Sequence, residues 1–167
     1  MTGVEAYGLG LALAIGVAGA MSARGFWLAA SVMLLEWAAC NGAVAASGRL
    51  DPAEAFAFIH FLCAACLLRD ERATAEVAIG AVYLALFVID GGYLIRVWAS
   101  GSASIANYLN WTAGGGWAQI AALAAGGLAN GPGKRWFAPP DRPWPVGIWA
   151  GLAGVALAAG MAEAAAR

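Results

Sequence analysis

Long apolar runs make up most of the chain, and short clusters of charged residues, glycine and proline separate them. The runs are continuous and rich in Ala and Leu, without the alternation of period two that marks a membrane β-strand. A helix of roughly 20 such residues is long enough to cross a bilayer. The pattern predicts six helical segments, at about 6–23, 26–47, 53–68, 73–98, 104–128 and 146–162. Because the third segment is short, we expect an all-α, polytopic transmembrane bundle of five to six membrane-spanning helices.

The breaks between segments support this division. Segment three begins after Asp51-Pro52, which predicts a helix start with Asp51 as the cap and Pro52 in the first turn. The connection at 129–145 is the longest, and it contains five of the six prolines. Since the segments use nearly the whole chain, we expect a single integral membrane domain over residues 1–167.

Composition narrows the class of protein further. Of 167 residues, 62% are hydrophobic and 11% are charged, whereas soluble domains average about 45–50% and about 25%. A soluble chain with this surplus could not cover its apolar surface, so an ordinary soluble domain and a disordered chain are excluded. The net charge of −1 leaves no nucleic-acid-binding patch. The N-terminus lacks a basic region, so no cleaved signal peptide is expected.

The distribution of basic residues predicts an orientation in a bacterial inner membrane. Loops one, three and five together carry six Lys and Arg residues, and the opposite side carries three. Because basic loops face the cytoplasm, both termini are expected outside it. The six are Arg24, Arg69, Arg72, Lys134, Arg135 and Arg142; the three are Arg49, Arg96 and Arg167.

Ionisable and amide residues inside the apolar segments are the candidate functional groups, because they are costly in a membrane. Counted at about 1.5 Å per residue, several of them fall about 10 Å from one boundary, while Glu36 lies deeper. Two interpretations stay open: a proton-carrying or ligand-binding pair of His60 and Asp90, or a structural bond between them that locks the helices together. The predicted polar layer consists of Asn41, His60, Asp90, Asn107 and Asn110, with Gln119 a further intramembrane polar residue.

No metal site or cofactor is predicted outright, although His60 leaves alternatives open. His60, Cys63 and Cys66 follow at three-residue steps and share one side of a helix. They could form a metal or redox site, but a convincing fourth ligand is missing. A single haem or chlorin ligated by His60 is a further alternative. No motif of an enzyme active site is present, so no catalytic residue is assigned.

Small residues recur every four positions on three segments and predict close helix packing, within one chain or between copies. Alanine-rich composition can also produce such stripes by chance, so this alternative stays open. The glycines in these stripes are Gly8, Gly16, Gly114, Gly126 and Gly154.

Several polar residues recur at spaced positions along the middle segments. The run 37–44 (WAACNGAV), Asp90-x-x-Tyr93 and Tyr108-Leu109-Asn110 with Gln119 resemble small multi-pass membrane proteins encoded among the structural genes of tailed bacteriophages. The resemblance covers about residues 26–130. It implies a hydrophobic protein in the virion or the host inner membrane that helps genome passage, and it transfers no site residue.

The function expected from the sequence is assembly rather than chemistry. The chain is predicted to be a non-enzymatic integral membrane subunit of a larger complex or oligomer. That complex could be a phage genome-delivery channel or a bacterial energy-transducing complex with this chain as an accessory subunit. Its expected partners are the lipid bilayer and other membrane subunits or copies of itself. The alternative is a small proton- or solute-conducting transporter or channel that uses Glu36, His60 and Asp90.

Overall fold

The fold of the described residues is entirely helical. The computed structural model describes residues 3–20, 26–49, 52–68 and 74–130, and no strand occurs among them. The all-α class is therefore confirmed. The predicted segment 146–162 and residues 131–145 of the Pro-rich connection lie outside the described part. The helices are α1 (Gly3–Ala20), α2 (Phe26–Ser47), α3 (Ala53–Leu67), α4 (Thr74–Ser100) and α5 (Ile105–Asn130).

Two helices end at a glycine in the left-handed conformation. Gly48 follows α2 with φ +65°, and its N–H donates to the Val44 carbonyl at 3.0 Å. Gly101 follows α4 with φ +70°, and its N–H donates to the Val97 carbonyl at 2.9 Å. Glycine reaches this conformation without a Cβ penalty, and the bond satisfies a carbonyl at the helix end. The glycines in the sequence breaks therefore set where α2 and α4 stop.

The N-termini of α3 and α5 are capped in different ways. Before α5, the Ser104 hydroxyl accepts a hydrogen bond from the Asn107 N–H at 3.3 Å, which is a side-chain N-cap. At α3 the cap position is Pro52, which has no side-chain cap bond, one residue later than the predicted cap at Asp51. The Pro52 carbonyl instead accepts from the N–H groups of Ala55 and Phe56 at 2.9 and 3.0 Å. Proline suits this position because it has no N–H to satisfy.

The five described helices form a ring in chain order. Each helix packs against its neighbours in sequence, and α5 closes the ring against α1. The most extensive interface joins α3 and α4. Helix α2 also reaches across the ring to α4 and α5, so side chains fill the centre. The core contains Leu11, Met33, Leu67, Ile79, Tyr83 and Leu123, all at most 1% exposed.

Large apolar side chains cover much of the outside of the ring. Leu35 is 70% exposed, Ile95 is 68% exposed and Trp98 is 86% exposed. Two helical stretches, Trp27–Ser47 and Glu76–Ser100, are long and apolar enough to cross a membrane. Ala6–Gly16 and Ala53–Leu67 are apolar but shorter. By length and composition, therefore, two of the described helices qualify as candidate spans.

Candidate functional site

A short hydrogen bond between α3 and α4 lies at the centre of the candidate site. His60 Nδ1 is 2.7 Å from Asp90 Oδ2. His60 is 4% exposed and Asp90 is fully buried. A carboxylate only accepts hydrogen bonds, so with Asp90 ionised the donor is His60 Nδ1–H. The bond joins the two helices that share the most extensive interface.

The second oxygen of Asp90 is bound from α5. The Tyr108 hydroxyl donates to Asp90 Oδ1 at 2.9 Å. The Tyr108 ring stacks on that of Tyr93, with centroids 4.3 Å apart, and this contact restricts its position. Both oxygens of Asp90 are thus satisfied, one by a side chain of α3 and the other by a side chain of α5. This arrangement holds the carboxylate in place, and the two hydrogen bonds offset part of the free-energy cost of its desolvation.

On the other side of the imidazole, α2 contributes a second carboxylate and a thiol. His60 Nε2 lies 3.4 Å from Glu36 Oε1. The Cys40 thiol donates to the same oxygen at 3.4 Å. Glu36 is 9% exposed, and its other oxygen, Oε2, has no hydrogen-bond partner among the described residues. A continuous polar chain therefore runs through α2, α3 and α4, and Tyr108 extends it to α5. Its members, in order of contact, are Cys40, Glu36, His60 and Asp90.

The imidazole lies between two carboxylates, and its protonation state therefore controls the charge of the cluster. As an imidazolium, His60 donates from Nδ1 to Asp90 and from Nε2 to Glu36. As a neutral ring with Nδ1 protonated, it keeps the bond to Asp90 and presents a lone pair at Nε2 to Glu36 and Cys40. The geometry can accordingly pass a proton between Glu36 and His60 or offer Nε2 as a ligand.

Aromatic residues surround this polar chain. The His60 ring lies 6.0 Å from the ring of Tyr83 and 6.3 Å from that of Phe56, measured between centroids. Tyr83 is fully buried, and its hydroxyl has no partner within the described ranges. The hydroxyl of Tyr7 donates to Gln119 Oε1 at 3.4 Å, linking α1 to α5 beside the site.

The structure brings together part of the predicted polar layer. His60 and Asp90 are in direct contact, and Glu36, which was expected deeper, joins them. The side-chain amide of Asn41 donates to the Trp37 carbonyl of its own helix at 2.6 Å. Asn107 and Asn110 are exposed. A residue count gives height along a helix but not rotation about its axis, and the rotation separates these asparagines from His60.

The cysteine that reaches the site comes from α2. Among the described residues, the potential metal-ligand atoms that come together belong to Glu36, Cys40 and His60. The predicted set instead paired His60 with Cys63 and Cys66. Cys63 and Cys66 are half-buried. Sequence reasoning missed Cys40 and Tyr108 as site residues. The four-residue spacing of Glu36 and Cys40, which puts both on one helix face, is the signal that could have found Cys40.

Several glycines permit close approach of helices around the site. A Cβ added at Gly8 would lie 3.1 Å from the Trp37 ring, whereas at Gly16 it would meet no atom within 4 Å. At Gly115 it would lie 2.6 Å from Leu86, too close without movement. Gly114 is buried, and Gly126 belongs to α5. Gly154 lies outside the described residues. The stripe pattern therefore did not single out Gly115, where the closest of these approaches occurs.

Comparison with known proteins gave no relatives. No protein family matches the chain, and searches of curated proteins and of solved structures found no significant match. The functional argument therefore depends on the geometry of the site and on the surface of the helix ring.

Proposed function

We propose that the chain is a multi-pass integral membrane protein in which all five described helices lie in the bilayer. The observation that carries the proposal is the distribution of polarity. Leu35, Ile95 and Trp98 are exposed, while the charged and polar groups of Glu36, His60 and Asp90 face inward. Exposing such an apolar surface to water costs roughly 25 cal/mol per Å², and lipid removes this cost.

Helix α3 is shorter than the hydrocarbon core of a bilayer. Its 15 residues correspond to about 22 Å at 1.5 Å per residue, less than the roughly 30 Å hydrocarbon core. We propose that α3 nevertheless crosses the bilayer, because a short helix is accommodated by local thinning of the bilayer, and that its inner face brings His60 to α4. The distribution of basic residues supports termini outside the cytoplasm of a bacterial inner membrane.

Membrane integration is tested by expressing the full chain and extracting the membranes with alkaline carbonate. We expect the protein to stay in the pellet and to need detergent for release. A tag on either terminus is expected to be digested by protease added outside intact spheroplasts. A detergent-free, monodisperse soluble protein would contradict the membrane proposal, and protection of both tags would contradict only the orientation.

Within the membrane, we propose that the chain acts as a non-enzymatic subunit by assembling with copies of itself. Ala12 and Gly16 lie on an exposed part of α1, and a side chain at Gly16 would meet open space in a single copy. Small residues on a lipid-facing helix surface allow another helix to approach closely. The resemblance to phage structural-gene proteins supports a virion-associated assembly or delivery channel as the larger complex.

Assembly is tested by cross-linking and native mass spectrometry in detergent. Gly16→Leu is expected to weaken the oligomer. Gly42→Leu is the matched control, because Gly42 is also a helical glycine with open space around it, on α2. A wild-type protein that stays monomeric in both detergent and bilayers would refute assembly of copies. An oligomer that both variants retain would move the interface away from α1.

A second function, proton conduction, is favoured by the continuous chain from Glu36 through His60 to Asp90. Liposomes containing the purified protein and a pH-sensitive dye report proton flux under an imposed potential. Asp90→Asn is expected to abolish the flux, because it removes a carboxylate that stabilises the imidazolium. Glu54→Gln is the control, since Glu54 is an exposed carboxylate. Flux no greater than in protein-free liposomes would exclude conduction.

A further inference from the structure

We propose that Glu36, Cys40 and His60 bind a divalent metal ion with the ligand preferences of Zn²⁺. A carboxylate oxygen, a thiol sulfur and an imidazole nitrogen from these residues all lie within 4.8 Å of one another. Two of the donors are one turn apart on α2, and the third comes from α3, so the packing of two helices creates the set.

The separations between donors fit a tetrahedral ion. At the usual Zn²⁺ bond lengths, a nitrogen and an oxygen ligand are about 3.4 Å apart, and a sulfur and an oxygen ligand are about 3.6 Å apart. The corresponding distances here are 3.4 Å for His60 Nε2 to Glu36 Oε1 and 3.4 Å for Cys40 Sγ to the same oxygen. Two of the three donor separations thus match a tetrahedral ion, and the third, between Cys40 Sγ and a ring nitrogen of His60, is at most 4.8 Å.

Asp90 orients the histidine for such a role. Its carboxylate accepts from His60 Nδ1 at 2.7 Å and is itself held by the Tyr108 hydroxyl at 2.9 Å. Metal-bound histidines commonly donate their second N–H to a carboxylate, which fixes the tautomer and makes the ligand nitrogen more basic. The Nε2 lone pair then points toward Glu36 and Cys40.

Glu36 also offers a second carboxylate oxygen to the ion. Glu36 is only 9% exposed, and its Oε2 atom is buried without a hydrogen-bond partner among the described residues. A divalent cation neutralises the carboxylate and the Cys40 thiolate together. Binding breaks the S–H bond of Cys40, forms the metal–sulfur bond and releases the proton to solvent.

The donor types select among metals. Mg²⁺ and Ca²⁺ require oxygen ligands, whereas one sulfur, one nitrogen and one oxygen suit Zn²⁺ and its spectroscopic substitute Co²⁺. The three protein donors leave one tetrahedral position for water or another ligand. Metal binding is tested separately from assembly and proton flux, because it is measured on purified protein at equilibrium.

The test uses the full chain, purified in detergent and stripped with a chelator. Co²⁺ is titrated while thiolate-to-cobalt charge-transfer absorption is recorded, and Zn²⁺ bound after dialysis is measured by elemental analysis. We expect one ion per chain. Cys40→Ser is expected to abolish the charge-transfer band, while the matched control Cys63→Ser retains it. Asp90→Asn is expected to weaken affinity by about 10–100-fold as an orienting residue.

Three results would overturn the proposal: no charge-transfer band in the wild type, a band that survives Cys40→Ser, or equal loss in Cys63→Ser. If circular dichroism shows that Cys40→Ser does not fold, X-ray absorption of the Zn²⁺-loaded wild type identifies the atoms that bind the ion. One sulfur ligand together with nitrogen and oxygen ligands supports the site, and a shell of oxygen alone refutes it.

Discussion

Replacing Asp90 with alanine should destabilise the bundle more than any other single removal of a polar side chain in the described residues. Asp90 is fully buried, and it accepts from His60 at 2.7 Å and from Tyr108 at 2.9 Å. Asp90→Ala leaves both donors without an acceptor and removes the counter-charge of the histidine. The helices α3 and α5 then lose their polar connection to α4.

The size of the effect follows from the two bonds. Hydrogen bonds to a charged group contribute about 1.5–3 kcal/mol each in soluble proteins, while bonds between membrane helices average about 0.6 and reach about 1.7 kcal/mol. Two such bonds and the unpaired donors give an expected loss of about 2–4 kcal/mol in the free energy of unfolding. Asp90→Asn keeps the shape and an acceptor oxygen, so we expect about half that loss.

The assay is reversible unfolding in mixed micelles at increasing sodium dodecyl sulfate, followed by circular dichroism. A double-mutant cycle with Asp90→Ala and Tyr108→Phe isolates the bond between these residues. The expected coupling is about 0.6–1.7 kcal/mol. Glu54→Ala serves as the control, because it removes an exposed carboxylate. Losses that add to within about 0.5 kcal/mol would show that Asp90 and Tyr108 do not interact and would refute the reasoning.

Three further predictions concern packing, a helix end and a surface ion pair, and the same unfolding assay checks them. Gly115→Ala should lower the free energy of unfolding by about 1–3 kcal/mol, because the added Cβ would lie 2.6 Å from Leu86. Gly16→Ala should be neutral or slightly stabilising, and equal effects of the two substitutions would contradict the close approach at Gly115. Gly101→Ala should cost about 1 kcal/mol, because φ is +70° there, and an unchanged stability would argue against that backbone conformation. Glu54→Gln removes the exposed 2.7 Å pair with Arg49 and should cost at most about 1 kcal/mol; a larger loss that resists added salt would mean that the pair is buried.

The helices are the part of the fold that the sequence predicts best. The predicted ends of segments two and four, at about 47 and 98, lie within two residues of the ends of α2 and α4. Local chemistry decides these ends, because glycine adopts the left-handed cap without help from tertiary contacts. The cap of α3 was displaced by one residue, since Pro52 occupies the position expected for Asp51.

The candidate site was only partly predictable. The cost of ionisable groups in an apolar segment singled out Glu36, His60 and Asp90 without any structure. Asn107 and Asn110 were predicted to belong to the same polar layer, yet they are exposed. Cys40 carries no charge and sits in an apolar run, so its participation depends on the side of α2 that faces α3.

Sequence alone thus determined which of the described segments are helical and which costly side chains they carry, because the length of an apolar run, the residues at its ends and the cost of desolvation are properties of short stretches. The tertiary structure decided which of those side chains meet. It set the rotation of α2 that turns Glu36 and Cys40 toward His60, and it closed α5 onto α4 so that Tyr108 reaches Asp90. Rotation and ring closure depend on how whole helix surfaces fit, as at Gly115 against Leu86, and no local pattern contains that information.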